Sequence, residues 1–241
     1  MRDLRRTASV LAVLTALVLA LAATAGLAAP PPFDDSEDDF KLLRVVGALV
    51  QIDSDTGAGG LQPLTYCVNH GGQPGGLSDG AVDTAVANAL AAWEAAVPGG
   101  VDLFQANVPL ACDTGAPAGV SEIGWGALGA NVVGQSNIED ATFVTNNLLS
   151  VSQARITLNS DLTNWAIDAG SGDFGVRDTL THEAGHWIGL DHVQGRKGAL
   201  LTMYSRASTQ SPFAQTLGCG DMLGAEAIYG DPDTNSLPLP C

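Results

Sequence analysis

One stretch of the chain carries three histidines and a glutamate in the pattern His-Glu-x-x-His-x-x-Gly-x-x-His. On a helix, His182 and His186 are four residues apart and project from one face, close enough for both imidazoles to bind the same metal ion. Glu183 follows the first histidine and stays free of the metal. If the helix continued, His192 would lie about 15 Å beyond His182, because each helical residue advances about 1.5 Å. The helix must therefore end, and Gly189 supplies the turn because glycine enters left-handed conformations without steric cost.

The chemistry that this pattern allows is metal-assisted hydrolysis. Zinc bound by three neutral imidazoles keeps a fourth position for water, whose pKa the ion lowers to about 7. Glu183 is the predicted general base, which accepts a proton from that water and passes it to the leaving group. Five fixed residue types at fixed spacing rarely coincide by chance in 241 residues. We therefore predict one catalytic zinc ion with His182, His186 and His192 as its ligands.

Segments on both sides of this pattern resemble the metzincin clan of zinc endopeptidases, and in particular its matrixin branch. Leu201 to Tyr204 is similar to the methionine turn, in which Met203 would form a hydrophobic floor beneath the zinc ligands without binding the metal. Ile156 to Asn159 and then Trp165 precede the zinc motif, and Asp221 to Gly230 follows it, as in matrixins.

The resemblance covers roughly residues 60 to 230 and implies an α+β fold, the zincin-like catalytic domain of metzincins. This domain contains a twisted mixed sheet, long helices, a zinc helix and the methionine turn. In the family, an extended protein or peptide substrate pairs with an edge strand of the sheet, for which residues 130–138 are the candidate. Tyr204 would contribute to the wall of the substrate pocket.

Composition divides the chain into three predicted parts. Residues 1–25 have the early arginines, apolar run and small-residue cleavage site of a secretory signal peptide. Residues 26–45 are rich in proline and acidic side chains and are predicted to be a disordered leader. Residues 46–241 would form the catalytic domain. A secreted, extracellular protein is therefore expected, with an uncleaved membrane anchor and twin-arginine export as the alternatives.

The formal net charge of the chain is −16. This charge argues against nucleic acid or an anionic membrane as a partner, because both require a basic surface. No membrane contact is expected after signal cleavage, and the domain is predicted to be a monomer. Asp161, Asp168, Asp173 and Asp178 lie near the zinc helix and indicate an additional calcium site, since calcium prefers oxygen ligands. Capping of the zinc helix is the alternative role for Asp173.

Four cysteines in an exported chain favour two disulfides over free thiols. We favour Cys67 with Cys112 and Cys219 with Cys241 among the three pairings, because each pair then stays on one side of the zinc helix. Reduced, buried cysteines are the alternative. His70 is the only histidine outside the zinc motif, and its glycine-rich, turn-like surroundings predict a solvated loop residue.

Apolar spacing predicts the elements that carry these residues. Leu64 to Asn69 alternates like a half-buried strand, and Asp79 to Val97 has the spacing of a long helix with Trp93 in the core. The zinc helix is predicted to begin after Asp173. Further strands are predicted at residues 101–104, 121–125, 131–138 and 154–159.

Together these features predict a secreted zinc-dependent endopeptidase that acts on proteins or peptides outside the cell. A catalytically idle binding or adhesion module on the same fold is the alternative from another class. The intact glutamate at position 183 argues against it, because a module without catalysis has no need of a general base. A processing enzyme with a single protein substrate remains a third hypothesis, since the sequence of the pocket wall has no readable pattern.

Overall fold

The computed structural model describes residues 40–52, 62–97, 101–145, 147–170, 172–194, 200–205 and 216–230. These ranges contain three helices and nine strands. In this part of the chain, no helix combines the length and the apolar character that crossing a membrane requires. The elements form an α+β fold with one mixed sheet, as expected.

The first helix, α1 (Asp79–Ala96), forms where the apolar spacing predicts a helix. Ser78 caps its first turn, since its hydroxyl accepts a hydrogen bond from the Ala81 backbone amide at 3.3 Å. Trp93 is fully buried, as predicted, and its indole Nε1 donates to the carbonyl of Thr181 at 2.8 Å. The bond links α1 to the zinc helix, so α1 supports the helix that carries the proposed ligands.

The main sheet has seven strands and is mixed, with spatial order β1-β2-β7-β5-β3-β4 and β6 on the free side of β7. Its neighbours pair in parallel, except for the antiparallel pairs β1–β2 and β6–β7. The seven strands are β1 (Arg44–Val45), β2 (Ala48–Ile52), β3 (Leu64–Val68), β4 (Phe104–Ala111), β5 (Ser121–Gly126), β6 (Gly134–Thr145) and β7 (Leu148–Asn159). A separate parallel pair joins β8 (Trp165–Ala166) to β9 (Phe174–Gly175).

Strand β6 is the element that lies nearest to the zinc helix at an edge of the sheet. Its register pairs Gly134 with Leu158 and Thr145 with Leu148, and among the described strands it pairs with β7 only. Its first residues lie within the range 130–138, so the prediction of an edge strand there is confirmed. The strand continues to Thr145, because it pairs with β7 as a long hairpin. Most β6 side chains from Glu139 to Val144 are exposed, whereas Leu149 to Val151 of β7 are buried.

Three differences from the predicted strands have physical reasons. The predicted strand at residues 101–104 meets the observed β4 only at Phe104, because β4 includes a proline and several exposed positions that obscure its pattern. Strand β2 was not predicted, since it is buried along nearly its whole length and lacks alternation. In β3, Cys67 lies on the predicted exposed face but is fully buried, because it packs against Cys112 and Val120.

Residues 40–45, which fall within the predicted leader, pack against the domain. Leu43 is buried, and Arg44–Val45 forms the first strand of the sheet. The described fold thus begins before residue 46. The rest of the leader and the predicted signal peptide, residues 1–39, lie outside the described residues.

Two helices complete the core. The zinc helix, α2 (Val176–Trp187), buries the predicted stripe of Val176, Leu180, Ala184 and Trp187. Its N-cap is Gly175 and has no side-chain capping bond, so the capping role suggested for Asp173 is wrong. The last helix, α3 (Cys219–Tyr229), packs against α1.

The predicted disulfide between Cys67 and Cys112 is present, with the two Cα atoms 5.8 Å apart. It links the end of β3 to the end of β4. Cys219 at the start of α3 is also disulfide-bonded. Its predicted partner, Cys241, lies outside the described residues, so the pairing of Cys219 with Cys241 stays a prediction.

The turn between β1 and β2 offers a test of backbone strain. Val46 has φ of 51° and Gly47 has φ of 83°, the positive values of a two-residue hairpin turn that prefers Asn-Gly. Val46 is also 91% exposed, so it contributes little burial. We expect Val46→Asn to raise the free energy of unfolding by about 1 kcal/mol, because asparagine tolerates this conformation better than a β-branched residue.

Denaturant unfolding would measure the effect of Val46→Asn. The matched control is Val46→Thr, which adds a polar group at the same exposed position but keeps the branched Cβ that the positive φ disfavours. The control is expected to leave the free energy of unfolding nearly unchanged. Equal effects of the two substitutions would contradict the explanation from backbone strain.

Candidate metal centre

The zinc motif brings three imidazoles to one point. Nε2 of His182 lies 3.0 Å from Nε2 of His192, and Nε2 of His186 lies 3.2 Å from the same atom. A ligand atom from each histidine lies within 4.8 Å of the other two. Tetrahedral zinc with nitrogen ligands at about 2.0 Å would separate those nitrogens by about 3.3 Å. The spacing of the three nitrogens therefore fits one zinc ion.

Backbone carbonyls fix the orientation of two of these rings. Nδ1 of His182 donates to the Thr202 carbonyl at 2.6 Å, and Nδ1 of His186 donates to the Leu190 carbonyl at 2.8 Å. A carbonyl oxygen only accepts, so both Nδ1 atoms carry the proton and both Nε2 atoms present a lone pair. These lone pairs point at Nε2 of His192, which can donate to at most one of them. Converging lone pairs repel each other unless a cation lies between them, so the donor set itself favours a metal.

Burial keeps the histidine cluster, which comprises His182, His186 and His192, in the neutral form that binds metal. It lowers the pKa of His182 well below its usual value, and the charges of the neighbouring histidines add to this shift. Burial together with the charge of His192 lowers the pKa of His186 to about 3. Burial also lowers the pKa of His192. Neutral imidazole is the metal-binding form, so these shifts favour ligation over protonation.

Glu183 follows His182 on α2 and is fully buried. Among the described residues, neither of its carboxylate oxygens has a hydrogen-bond partner. Burial raises its pKa well above the usual value, because the charged form loses its hydration. Strand β6 covers this side chain closely: a Cβ at Gly134 would lie 3.0 Å from Oε1 of Glu183. The carboxylate is therefore enclosed and follows the first histidine of the cluster directly in the sequence, which suits a base that exchanges protons with a reacting group.

The turn after the zinc helix depends on Gly189. Its φ is +104°, in the left-handed region, and a Cβ there would overlap the carbonyl of Val50. This confirms the predicted turn and adds a second reason for glycine, namely close contact with β2. The turn also directs the Leu190 carbonyl back to His186 and brings His192 to the cluster.

The N-terminal segment, residues 40–43, packs along this turn. The Leu43 amide donates to the Gly189 carbonyl at 2.7 Å, and the Asp191 amide donates to the Lys41 carbonyl at 2.7 Å. The Lys41 ammonium also pairs with the Asp191 carboxylate. Asp191 immediately precedes His192, so this segment holds the outer side of the loop that carries the third histidine.

Met203 lies where the methionine turn is expected to lie. It is 2% exposed, and a Cβ at Gly185 would collide with its sulfur. Gly185 lies between the two helical histidines, so the thioether packs against the helix directly beneath them. The same glycine lets Trp93 of α1 approach, since its ring is the second closest group to that Cβ position. Met203 therefore contributes packing, as the resemblance implied.

Asp221 is a buried residue that supports the methionine turn and that sequence reasoning does not identify. Its carboxylate accepts hydrogen bonds from the backbone amides of Thr202 at 2.7 Å, Met203 at 3.1 Å and Gly218 at 2.9 Å. Burial raises its pKa, while these amide bonds oppose the shift. The sequence gives only a family-like segment here, because contacts across 18 to 19 residues leave no local pattern.

We expect Asp221→Ala to lower the free energy of unfolding by about 3 kcal/mol, because it leaves buried amides without an acceptor. Asp221→Asn keeps one acceptor oxygen and is expected to cost less. Thermal melting of the two variants would measure both effects. A melting temperature of Asp221→Ala equal to that of the unsubstituted chain would contradict this role.

Other predicted residues have mixed outcomes. Tyr204 is half-buried and forms a parallel bridge with Val193. Its place in a pocket wall stays a prediction, since residues 206–215 lie outside the described residues.

The prediction of a solvated side chain for His70 is wrong. This side chain is 9% exposed and lies between Asp83, 3.0 Å from Nε2, and Asp113, 3.2 Å from Nδ1. These two aspartates are distant in sequence, so the turn-like composition around the histidine gave no sign of them.

Among the described residues, the four aspartates of the predicted calcium site do not converge as a group of three, and only the histidine cluster brings together three His, Cys, Asp or Glu side chains. Asp168 instead pairs with Arg177 at 2.9 Å, and Asp161 accepts from the Gly129 amide at 2.9 Å. These contacts give no support to the calcium site, and calcium binding stays a prediction.

A family model described as Matrixin matches residues 60–230 of the chain. A search of curated proteins gives no match. The matched range contains the histidine cluster, Glu183, the methionine turn and α3.

Proposed function

The chain belongs to the matrixin family, and on this premise we propose that it is a secreted endopeptidase that uses one zinc ion to hydrolyse peptide bonds. At the level of the family it is a zinc metallopeptidase, a hydrolase of protein substrates. The observation that carries the proposal is the convergence of three Nε2 atoms, together with a fully buried glutamate directly after the first of these histidines in the sequence. His182, His186 and His192 are the proposed ligands, and Glu183 is the proposed general base.

Zinc in this position would polarise the substrate carbonyl and acidify a water molecule. Glu183 would accept the proton of that water and then donate it to the departing amine. Its burial against Gly134 of β6 supports this role. Burial raises the pKa of the carboxylate, so it can hold the proton between the two steps. Met203 and Asp221 would keep the ligand geometry by packing and by fixing the methionine turn.

The edge strand β6 supports a peptide as the substrate. An extended chain can add to the free side of β6 by backbone hydrogen bonds, and this places it next to Glu183, which Gly134 contacts. Backbone hydrogen bonds of this kind do not depend on the side chains of the substrate. Selectivity would then come from the pocket wall, to which we assign Tyr204.

The proposed location of the protein and its proposed partners rest on the sequence. We infer export from residues 1–25 and action outside the cell on proteins or peptides. The net charge of −16 supports a partner other than nucleic acid or an anionic membrane. We propose a monomer, because the three ligands and the general base all lie within residues 182–192, so the site needs no residue of a second subunit.

Mass spectrometry of a peptide mixture incubated with the purified zinc-loaded chain would test the proposal. The expected result is a set of internal cuts that disappear after chelation and return when zinc is added. The sequences at the cuts would also define the side-chain preference of the pocket. If the folded, zinc-bound chain leaves every peptide intact, the endopeptidase proposal fails for these substrates, and a binding module becomes the better explanation.

A further inference from the structure

Asn159 lies at the end of β7 and is fully buried. It is the last residue of the Ile-Thr-Leu-Asn segment that resembles matrixins, and the proposed reaction gives it no role. Its side chain nevertheless makes four hydrogen bonds, which is the full capacity of a carboxamide. Such complete pairing of a buried amide indicates that the surrounding backbone is held in one arrangement.

Three of the four bonds go to the loop between β5 and β6. The Asn159 amide nitrogen donates to the carbonyls of Gly129 at 2.6 Å and Val132 at 2.5 Å. The amide oxygen accepts from the backbone amide of Leu128 at 3.2 Å. Both donors and an acceptor are needed for this set, so neither aspartate nor leucine could replace the asparagine without losing bonds.

Backbone bonds around Asn159 reinforce the same loop. Its own amide donates to the Val133 carbonyl at 3.0 Å, and its carbonyl accepts from the Trp165 indole at 3.0 Å. Its side-chain oxygen also accepts from the Asp161 amide at 2.9 Å, and the Asp161 carboxylate accepts from Gly129. One residue thus connects the loop of residues 128–133 to the sheet and to the chain that leads to the zinc helix.

The loop ends directly at the proposed reaction site. Val133 is fully buried, and the next residue, Gly134, is the first of β6. A Cβ at Gly134 would lie 2.6 Å from Cγ2 of Thr179 and 3.0 Å from Oε1 of Glu183. Small shifts of the loop would therefore move the start of the edge strand relative to the general base.

We propose that Asn159 is a positioning residue for the substrate: its carboxamide holds residues 128–133 and thereby sets where the first residues of β6 lie beside Glu183. This inference rests on the proposed function, because the strand matters to catalysis only if a peptide pairs with it. Asn159 itself touches neither substrate nor metal ligands. It acts on the extended part of the substrate through the backbone of the strand.

The dependence of cleavage on peptide length tests this inference. Two peptides share the residues next to the cleaved bond, and the longer one extends further along β6 in both directions. In the unsubstituted chain the longer peptide is expected to have a kcat/KM at least about 10-fold higher, mainly through a lower KM, because strand pairing adds binding energy. In Asn159→Asp, which keeps the size but loses both donors, this gain is expected to disappear while cleavage of the shorter peptide changes little.

Asn107→Asp is the matched control, because the Asn107 amide also bonds a backbone carbonyl, that of Pro109, but lies on β4 at the opposite edge of the sheet. It is expected to keep the full length gain. Zinc content and thermal melting of each variant would establish that the fold is intact. If Asn159→Asp does not fold, Asp161→Ala serves as the second variant. It removes the hydrogen bond from the Gly129 amide and is expected to reduce the kcat/KM advantage of the longer peptide in part.

The outcomes separate this inference from the proposed function. Failure of the unsubstituted, zinc-loaded chain to cleave either peptide would reject the proposed function and, with it, this inference. Cleavage by that chain with a full length gain in Asn159→Asp would overturn the positioning role alone. The positioning role is also overturned if Asn159→Asp fails to fold and Asp161→Ala keeps the whole length gain. Equal slowing of the cleavage of both peptides in Asn159→Asp would overturn it as well.

Discussion

Replacing Glu183 with alanine is expected to abolish peptide cleavage while zinc stays bound. The residue follows His182 directly in the sequence, but its side chain belongs to none of the hydrogen bonds that orient the three rings. Loss of a general base typically lowers kcat by about 100-fold to 10,000-fold. Metal analysis and steady-state kinetics on one peptide would measure the two quantities together.

The zinc content is what separates loss of chemistry from loss of the site. Glu183→Gln is a second variant that keeps the shape and removes the basic oxygen, and it is expected to be as inactive as the alanine variant. Glu226→Gln on α3 is the matched control and is expected to retain full activity, since Glu226 lies on another helix. A Glu183→Ala chain that still cleaves at a rate near that of the unsubstituted chain would refute the role of this residue.

The second large effect is expected from Gly189→Ala. The residue has φ of +104°, and an alanine Cβ would overlap the Val50 carbonyl of β2. Backbone strain of this kind costs about 1 to 3 kcal/mol, and the collision adds to that cost. Because the turn places both His192 and the carbonyl that orients His186, zinc affinity is expected to fall together with stability.

Gly76→Ala is the control that isolates strain from collision. Gly76 has φ of +103°, almost the same value, but a Cβ there meets nothing within 4 Å. It is expected to lower the free energy of unfolding by about 1 kcal/mol and to leave zinc affinity unchanged. Denaturant unfolding and competition with a zinc chelator would compare the two variants. Equal losses in both would show that the contact with β2 is unimportant.

The residues that carry the proposed chemistry could be predicted because they are close in sequence. The spacing of His182, His186 and His192 follows directly from helix geometry and one glycine turn, and the structure brings their Nε2 atoms together. The long helix that contains Trp93 could also be predicted, since apolar residues at helical spacing over 18 residues indicate an amphipathic helix. The family-like segments then indicated the methionine turn.

The residues that support this site could not be predicted from the sequence. Asp221 and Asn159 act through bonds to the backbone of distant segments, and such bonds leave no periodic pattern in the sequence. His70 has the same difficulty, because its two aspartate partners come from α1 and from the residues after β4. Strand β2 lacks alternation because both its faces are covered, and it borders the part of residues 40–45 that composition assigns to a leader.

The central claim is that one zinc ion, held by three histidines, makes this chain a peptidase. Adding zinc stepwise to the metal-free chain while following cleavage of one peptide tests it most directly. We expect activity to rise linearly and to level off at one zinc per chain. Full activity of the metal-free chain, or no cleavage by a folded chain that has bound one zinc, would contradict the account.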